Sequence, residues 1–302
     1  MVILKSLLSL KYAIALLPLF YISTVSADIA LLIHGFNNHA ITWQQSGINQ
    51  YLHQQGWSYQ GTLNDHGHSI ALQASGSGTP FRPPKQNDNK LYTVNLASRA
   101  PIEYQSHQLQ KTLHWLNQRH PGEAIYLVGH SAGGLVARYT LVQLFQQQPK
   151  NNYPNHIAAL ITIATPHLGT FRAAQAIDAV DEPFFCPGPG WRFIQSVFAG
   201  DEYDVVRKSE SLLHELYPSQ PYNLLFWLNN QAHPKIPYFS IVRTSGAFAG
   251  DFLVPGYSQD MNNIPALNNQ SKTLISYSEH FLTAQDAVTI HSILTSLLSP
   301  SQ

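Results

Sequence analysis

The feature that most constrains the fold is a strand, a glycine-rich turn and a helix that follow one another without a break. Ala124–Val128 is apolar enough for a buried strand, Gly129-His130-Ser131-Ala132-Gly133 forms the turn, and Leu135–Phe145 favours a helix. A G-x-S-x-G motif in this setting holds the serine hydroxyl above the edge of the sheet. Glycine is expected on either side of the serine because a Cβ there would collide with the neighbouring strand or helix. The pattern predicts that Ser131 is a nucleophile in a strained backbone conformation.

Apolar runs alternate with helical patterns along the rest of the chain. Strands are predicted at Ile29–Ile33, Leu91–Leu96, Ile157–Ala164, Tyr238–Arg243 and Thr273–Tyr277, and further helices at Ile48–Gln55, Tyr104–Arg119 and Ala284–Leu298. Residues 58–90 read as irregular and polar. The alternation predicts an α/β fold with a mostly parallel central sheet and helices on both faces. Residues 170–237, rich in aromatics and proline, interrupt it where a cap or lid is expected.

The first 27 residues differ from the rest of the chain. Lys5 and Lys11 are their only charged side chains, Tyr12–Ile22 is apolar, and Val25-Ser26-Ala27 offers the small residues that a signal peptidase recognises. The apolar run is shorter than the roughly 20 residues of a membrane-spanning helix. Residues 1–27 are therefore predicted to be a signal peptide, with an uncleaved N-terminal anchor as the alternative, and residues 28–302 to be one domain. The mature protein is expected to be secreted or periplasmic.

Composition narrows the choice of partners. The chain has 17 basic and 17 acidic residues, and charged residues make up 11%, against roughly 25% in an average soluble protein. No basic stretch is long enough to bind nucleic acid. A surface of Gln, Asn, Ser and His is compatible with transient contact with a lipid surface. The one cysteine, Cys186, excludes an internal disulfide and is expected to be a buried apolar residue.

A nucleophilic serine needs a base, and the chain has 15 histidines. His280 follows the last predicted strand and precedes the closing helix, so it is expected on a loop at the same end of the sheet as Ser131. His291 is the alternative, but it lies inside the closing helix, from which a loop-borne serine is hard to reach. The order along the chain, serine before acid before histidine, places the base last and fits both histidines, and the loop position favours His280.

The acid is expected after the preceding strand. Asp251 lies eight residues beyond Arg243, and Asp260 is the competing candidate. A carboxylate at this place would hold the imidazole in one tautomer and stabilise its charged form.

Two backbone N–H groups are needed to stabilise the negative charge of a tetrahedral intermediate. The N–H of Ala132, directly after the nucleophile, is one candidate. The N–H of Phe36, in the turn after the first strand, is the other. His34 in the same turn is expected to brace the loop by hydrogen bonds rather than to take part in chemistry.

Together these motifs resemble the lipases of the α/β-hydrolase superfamily, in the group of bacterial triacylglycerol lipases and their PGAP-like relatives. The matching pieces are Ile33-His34-Gly35-Phe36, Val128–Gly134, Ala164–Thr170, Gly250–Pro255 and His280. The resemblance implies the α/β-hydrolase fold and ester hydrolysis through an acyl-enzyme, with Ser131 as nucleophile, Asp251 as acid and His280 as base. It also implies that His167, in Thr165-Pro166-His167, is structural. The expected substrate is a small-molecule or lipid ester.

The resemblance leaves some points open. Some lipases of this kind hold calcium, for which Asp260 and Asp286 are the available ligands here, but the expectation is that no metal or other cofactor is needed. The same residues would also serve acyl transfer to an alcohol, and a non-catalytic binding protein on this scaffold is a third alternative. Six aromatics of the cap segment are expected either to cover an apolar acyl pocket or to form the core of the cap itself: Phe171, Phe184, Phe185, Trp191, Phe193 and Phe198.

Overall fold

The computed structural model describes residues 27–74, 88–147, 156–181, 202–245 and 249–298. Nearly all of the signal-peptide segment and Cys186 lie outside these residues, as do all the cap aromatics except Phe171, and the predictions made for them stay predictions. Within the described ranges, no helix combines the length and apolarity needed to cross a bilayer.

Eight strands form one sheet. They are β1 (Ile29–Ile33), β2 (Trp57–Asp65), β3 (Ile70–Gln73), β4 (Asn89–Asn95), β5 (Ile125–His130), β6 (Ile157–Ile163), β7 (Tyr238–Thr244) and β8 (Ser271–Tyr277). Their order across the sheet is β3-β2-β4-β1-β5-β6-β7-β8. Among the strand pairs of the described residues, β2–β3 alone is antiparallel. The predicted mostly parallel sheet is confirmed.

Helices join the strands. They are α1 (Thr42–Gln45), α2 (Ile48–Gln54), α3 (Ile102–Arg119), α4 (Ala132–Gln147), α5 (Phe171–Asp181), α6 (Glu202–Lys208), α7 (Glu210–Glu215), α8 (Leu224–Asn229), α9 (Gly256–Gln259) and α10 (Ala284–Leu298). Four of them, α5 to α8, lie in the segment between β6 and β7 that the sequence assigns to a cap. The described part of that segment is a series of short helices, and its role as a cap stays a prediction.

The central strands are buried on both faces. All five residues of β1 are fully buried, and successive side chains of a strand point to opposite faces of the sheet. Leu31 and Ile33 accordingly pack in one apolar cluster with α3 and α4. Leu32 packs in a second cluster with α2 and α10. This explains why β1 reads as an unbroken apolar run and why helices cover both faces.

The prediction that residues 58–90 are irregular is wrong for much of that stretch, because β2 and β3 lie within it. Trp57, Tyr59 and Leu63 on β2 are buried, whereas the polar residues Gln60, Thr62 and Asn64 are only half-buried. β3 is an edge strand with no fully buried residue. Strands at the margin of a sheet carry polar side chains on their open face, and that composition resembles a loop.

Candidate active site

Ser131 lies in the turn between β5 and α4, where it adopts a left-handed backbone conformation with φ of 51°. Its N–H donates to the carbonyl of Ile163 at 2.8 Å, which joins the turn to the neighbouring strand β6. Its own carbonyl accepts from the N–H of Gly134 at 3.0 Å. A serine with positive φ is uncommon, and here the surrounding backbone enforces that conformation.

Glycine at two positions makes this turn possible. A Cβ added at Gly129 would lie 2.5 Å from the Cα of Gly134, and one added at Gly133 would lie 2.2 Å from the carbonyl oxygen of His34. Both distances are far shorter than a van der Waals contact, and both involve backbone atoms that cannot move aside. An added Cβ would therefore collide with α4 at Gly129 and with the backbone after β1 at Gly133, as the motif predicts.

His280 lies on the loop between β8 and α10, and its imidazole reaches Ser131. Nε2 is 2.9 Å from the serine Oγ, and Nδ1 is 2.8 Å from Oδ2 of Asp251. His291, the alternative base, lies on α10 with its ring edge-on to that of Tyr51, at 6.2 Å between centroids. The structure brings together Ser131, His280 and Asp251, and it leaves His291 apart from them.

Asp251 is 2% exposed, and both of its carboxylate oxygens accept hydrogen bonds. Oδ1 accepts from the N–H groups of Leu253 and Val254 at 3.0 and 2.8 Å. Oδ2 accepts from His280 and from Nε2 of Gln259, the latter at 3.2 Å. Four donors therefore satisfy both oxygens of this buried carboxylate and fix its orientation toward His280.

Asp260, the competing acid, serves a local role. Its Oδ1 accepts from the N–H of Asn262 and from the Thr273 hydroxyl, both at 2.9 Å, and so caps a short 3-10 helix, Met261–Asn263.

The hydrogen bonds define what this group of side chains can do. A carboxylate only accepts, so Nδ1 of His280 carries the proton that lies between the ring and Asp251. Nε2 of the neutral ring is then free to accept the hydroxyl proton of Ser131. An imidazole oriented in this way can take that proton as the serine oxygen attacks an electrophile.

A cavity of about 150 Å³ opens at Ser131 and His280. Its apolar wall includes Ala173, Ala176, Leu213, Leu216, Leu253, Val254 and Phe281, and its polar wall includes Asn37, Asn38, Thr170 and Arg172.

Phe36 also lines the cavity, and Ala132 is the first residue of α4, where backbone N–H groups have no partner within the helix. The two residues with predicted oxyanion N–H groups therefore lie beside the serine. Phe171 is 62% exposed and does not line this cavity.

Two histidines near the site are buried and uncharged. His34 accepts from the N–H of Leu96 at 3.1 Å and donates to the carbonyl of Gly35 at 3.0 Å, so it braces the loop that carries Phe36. Burial lowers its pKa to about 4. His167 bonds the Thr162 hydroxyl at 3.1 Å, and burial lowers the pKa of His167 well below the ordinary value. Neither ring touches Ser131.

Three residues that sequence reasoning missed support the site. Gln259 donates to Asp251 and accepts from the backbone N–H of Arg243 at 2.7 Å. The guanidinium of Arg243 is paired with Asp286 through both carboxylate oxygens, at 2.6 and 2.7 Å, with both side chains buried. His130 donates to the carbonyl of His280 at 2.8 Å. No local motif marks these contacts, since their partners are between 8 and 150 residues apart.

The carboxylates considered for calcium are engaged elsewhere, since Asp286 is paired with Arg243 and Asp260 caps the 3-10 helix. Over the described residues, no three His, Cys, Asp or Glu side chains are grouped as a metal ion would require.

Comparison with known proteins gives a family and a fold. A family model described as alpha/beta hydrolase fold matches residues 31–186, which is just over half of the chain. No curated protein matches the chain in sequence.

Several solved structures share the fold at low sequence identity. The mature lipase BlEst2 of Bacillus licheniformis has a TM-score of 0.57 at 15% identity, covering 90% of this chain and 92% of its own. A lipase-esterase related protein of Clostridium acetobutylicum has a TM-score of 0.53 at 12% identity, with 90% and 96% covered. Phospholipase PlaB of Legionella pneumophila has a TM-score of 0.53 at 14% identity, with 78% and 45% covered.

Proposed function

Because the chain belongs to the α/β-hydrolase fold family, we propose that it is an ester hydrolase that works through a serine acyl-enzyme. The observation that carries the proposal is the unbroken series of hydrogen bonds from Ser131 through His280 to Asp251, at 2.9 and 2.8 Å. The fold alone does not carry it, since one fold hosts many activities. The site adds a base in contact with a hydroxyl that the turn exposes to a cavity.

In the first half of the proposed reaction, Ser131 Oγ attacks the ester carbonyl carbon. Its proton moves to Nε2 of His280, and the charge of Asp251 stabilises the imidazolium that forms. The carbonyl oxygen becomes an oxyanion, which the N–H groups of Phe36 and Ala132 stabilise. The intermediate then collapses, the bond to the alcohol oxygen breaks, and the alcohol leaves with the proton from His280.

In the second half, water replaces the alcohol. His280 takes a proton from the water as its oxygen attacks the acyl carbon, and a second tetrahedral intermediate forms. The bond to Ser131 Oγ then breaks, and the serine recovers its proton from the imidazolium. The carboxylic acid leaves, and the residues return to their starting protonation states.

The cavity supports an apolar acyl group on the substrate. The cavity that holds Ser131 is lined by Leu213 and Leu216, on and just after α7, and by Ala173 and Ala176 of α5. Apolar walls of this kind favour a hydrocarbon chain, because binding removes its surface from water. The substrate class proposed is therefore acyl esters, of small alcohols or of lipids.

A fluorophosphonate probe tests the proposed nucleophile directly. The purified protein is expected to gain the mass of one phosphonyl group on Ser131, with loss of ester hydrolysis. Ser131→Ala should abolish labelling, whereas the control Ser296→Ala, which changes a hydroxyl bonded to the backbone of α10, should label normally. A chain that binds esters without cleaving them, and does not react with the probe, would overturn the proposal.

The acyl group is tested by the rates of hydrolysis of p-nitrophenyl esters with two to sixteen carbons. A lipase-type enzyme is expected to keep activity on the long chains, and a steep preference for two to four carbons would instead assign it to the esterases. Repeating the assay with an acceptor alcohol separates hydrolysis from acyl transfer, since transfer yields a new ester in place of the acid.

We also propose that residues 1–27 direct export and are removed. Support comes from the two lysines, the apolar run and the small residues before Asp28. Expression of the full chain in a bacterium, followed by intact-mass measurement of the protein outside the cytoplasm, is expected to find a mature chain that begins at Asp28. Recovery of the protein in the cytoplasm with its first residues intact would contradict export.

A further inference from the structure

His130, directly before the nucleophile, takes no part in the proposed proton transfers, yet it is almost completely buried at 2% exposure. Its Nε2 lies 2.8 Å from the carbonyl oxygen of His280. A carbonyl only accepts, so Nε2 carries the proton and donates it. The two rings are 5.2 Å apart and tilted, and the bond joins residues 150 positions apart. The residue next to the nucleophile therefore holds the backbone of the proposed base.

The loop that carries His280 has one buried apolar residue, Leu282, which packs in the second apolar cluster beyond the base. Tyr277 and Phe281 on either side of His280 are 88% and 50% exposed. On the α10 side, the loop is held by Asp286, whose Oδ2 accepts from the N–H of Thr283 at 2.7 Å. The bond from His130 is what ties the carbonyl of His280 itself to the body of the sheet. A base held on a loop of this kind depends on such contacts for its position.

The ring of His130 is confined on its other side. A Cβ added at Gly35, in the turn that carries Phe36, would lie 3.4 Å from Nδ1 of His130 and 2.8 Å from Cβ of Ser131. His130 thus lies between the loop of the base and the loop of the proposed oxyanion N–H. Burial, reinforced by the neighbouring His280, holds the pKa of His130 well below its ordinary value, so that the ring stays neutral.

We propose that His130 is a positioning residue for catalysis, whose N–H holds the backbone of His280 so that its imidazole meets both Ser131 and Asp251. This inference rests on the proposed function, because it assigns a role within that site. The turn between β5 and α4, which we call the elbow, then places the nucleophile through its backbone and the base through the side chain of His130. A displacement of about 1 Å in a catalytic group can cost on the order of 100-fold in rate.

Two substitutions of His130 separate the hydrogen bond from the shape of the ring. His130→Gln keeps an N–H donor at about the distance of Nε2 from the Cα, and His130→Leu has a similar size without a donor. The Leu variant is expected to lose roughly 10- to 100-fold in kcat on a short p-nitrophenyl ester, with KM within about 2-fold. The Gln variant is expected to recover most of that loss.

Other outcomes of this experiment decide against the proposal. Equal kcat values for the Leu variant and the native protein would show that the bond does not position the base. Equal losses in both variants would show that only the ring shape matters. A purely structural role would lower the midpoint of thermal unfolding without a split between the Leu and Gln variants in kcat.

A second variant covers a failure of His130→Leu to fold. His130→Asn places its amide nitrogen near the position of Nδ1, too far back to reach the carbonyl, and should lose kcat as the Leu variant does. An Asn variant as active as the Gln variant would overturn the proposal. Fluorophosphonate labelling of the native protein distinguishes failure of the proposed function from failure of this inference. Absence of labelling on Ser131 would contradict the proposed function. Normal labelling, together with kcat values that the His130 substitutions leave unchanged, would contradict this inference alone.

Discussion

The nucleophile and its two partner residues are held in different ways. Ser131 sits between regular elements, and backbone atoms fix it through a φ of 51° and a hydrogen bond to Ile163 of β6. His280 and Asp251 lie in loops, and hydrogen bonds of side chains to other groups fix them. One half of the site therefore depends on backbone fit, and the other half depends on polar side chains.

This difference predicts two kinds of damage. Extra atoms at the elbow collide with backbone, so they are expected to affect folding before chemistry. Removal of a polar group from the loops leaves the apolar core untouched, so it is expected to affect chemistry before folding unless it leaves a buried charge unpaired. The measurements that follow compare the two halves in activity and in the free energy of unfolding.

Asp251→Asn is expected to have the largest effect on activity. The amide no longer favours the tautomer in which Nε2 of His280 accepts the serine proton, and the imidazolium loses its counter-charge. A loss of about 10⁴-fold in kcat is expected, as for other triads of this type. The thermal midpoint should change little, and steady-state kinetics with parallel calorimetry measure both quantities.

The matched control for this variant is Asp260→Asn. Asp260 caps a 3-10 helix near the same loop and is not hydrogen-bonded to His280. The kcat of the Asp260→Asn variant should therefore stay within a few-fold of the native value. A similar loss of kcat in both variants would mean that Asp251 acts only through the loop's stability.

Gly133→Ala is expected to damage folding rather than chemistry. The new Cβ would lie 2.2 Å from the carbonyl oxygen of His34, so α4 or β1 must shift. A loss of about 3 kcal/mol in the free energy of unfolding is expected, since two buried elements are forced apart. Urea unfolding followed by circular dichroism measures it.

Gly122→Ala is the control, because Gly122 has a φ of +84° and nothing within 4 Å of the added carbon. Its expected cost is about 1 kcal/mol, from the left-handed conformation alone. Equal costs at the two glycines would show that close packing at the elbow is not what makes glycine necessary there.

Asp286→Asn tests the buried ion pair that supports the base loop. The change leaves the Arg243 guanidinium buried without its counter-charge, and a loss of about 3 kcal/mol in stability is expected. Denaturant unfolding measures the free energy of unfolding, and kcat measures whether His280 keeps its position beside Ser131.

The double variant Arg243→Met with Asp286→Leu removes both charges and is expected to recover much of the stability, because no unpaired charge stays buried. Its kcat should stay below the native value, since the loop has lost its polar anchor at Thr283. Full recovery of kcat would show that the pair serves stability alone.

Acid is expected to destabilise the elbow side of the site through its buried histidines. Burial lowers the pKa of His34 to about 4 and the pKa values of His130 and His167 well below 6.5. As the pH falls below 6.5, the unfolded chain binds protons at these histidines and the native protein does not, so stability falls with pH. Each histidine contributes about 1.4 kcal/mol per pH unit until its own native pKa is reached.

Amide hydrogen exchange between pH 7.5 and 5 measures this effect. Protection at the start of α4 should fall before protection at the start of α10, which the Arg243–Asp286 pair supports. Protection that is independent of pH, or that rises in acid, would contradict the neutral state assigned to the buried histidines.

Prediction from the sequence succeeded where the signal was local and strong. The closing helix, Ala284–Leu298, was predicted to the residue because its apolar pattern continues unbroken between loops. β2 was missed although Trp57, Tyr59 and Leu63 alternate, because the polar residues between them and the glycines around them resemble a loop. Short strands near the edge of a sheet depend on pairing with neighbours, which local composition does not reveal.

The sequence by itself determined the elbow, since strand, glycines, serine and helix are adjacent and their steric requirements are local. It also narrowed the candidate partners to His280 or His291 and to Asp251 or Asp260. Only the tertiary structure decided which side chains meet, because convergence across 29 and 149 residues depends on strand register and loop path. The tertiary structure also decided the contacts of His130, Gln259 and Arg243, because hydrogen bonds between distant residues form only after the sheet has brought the loops together.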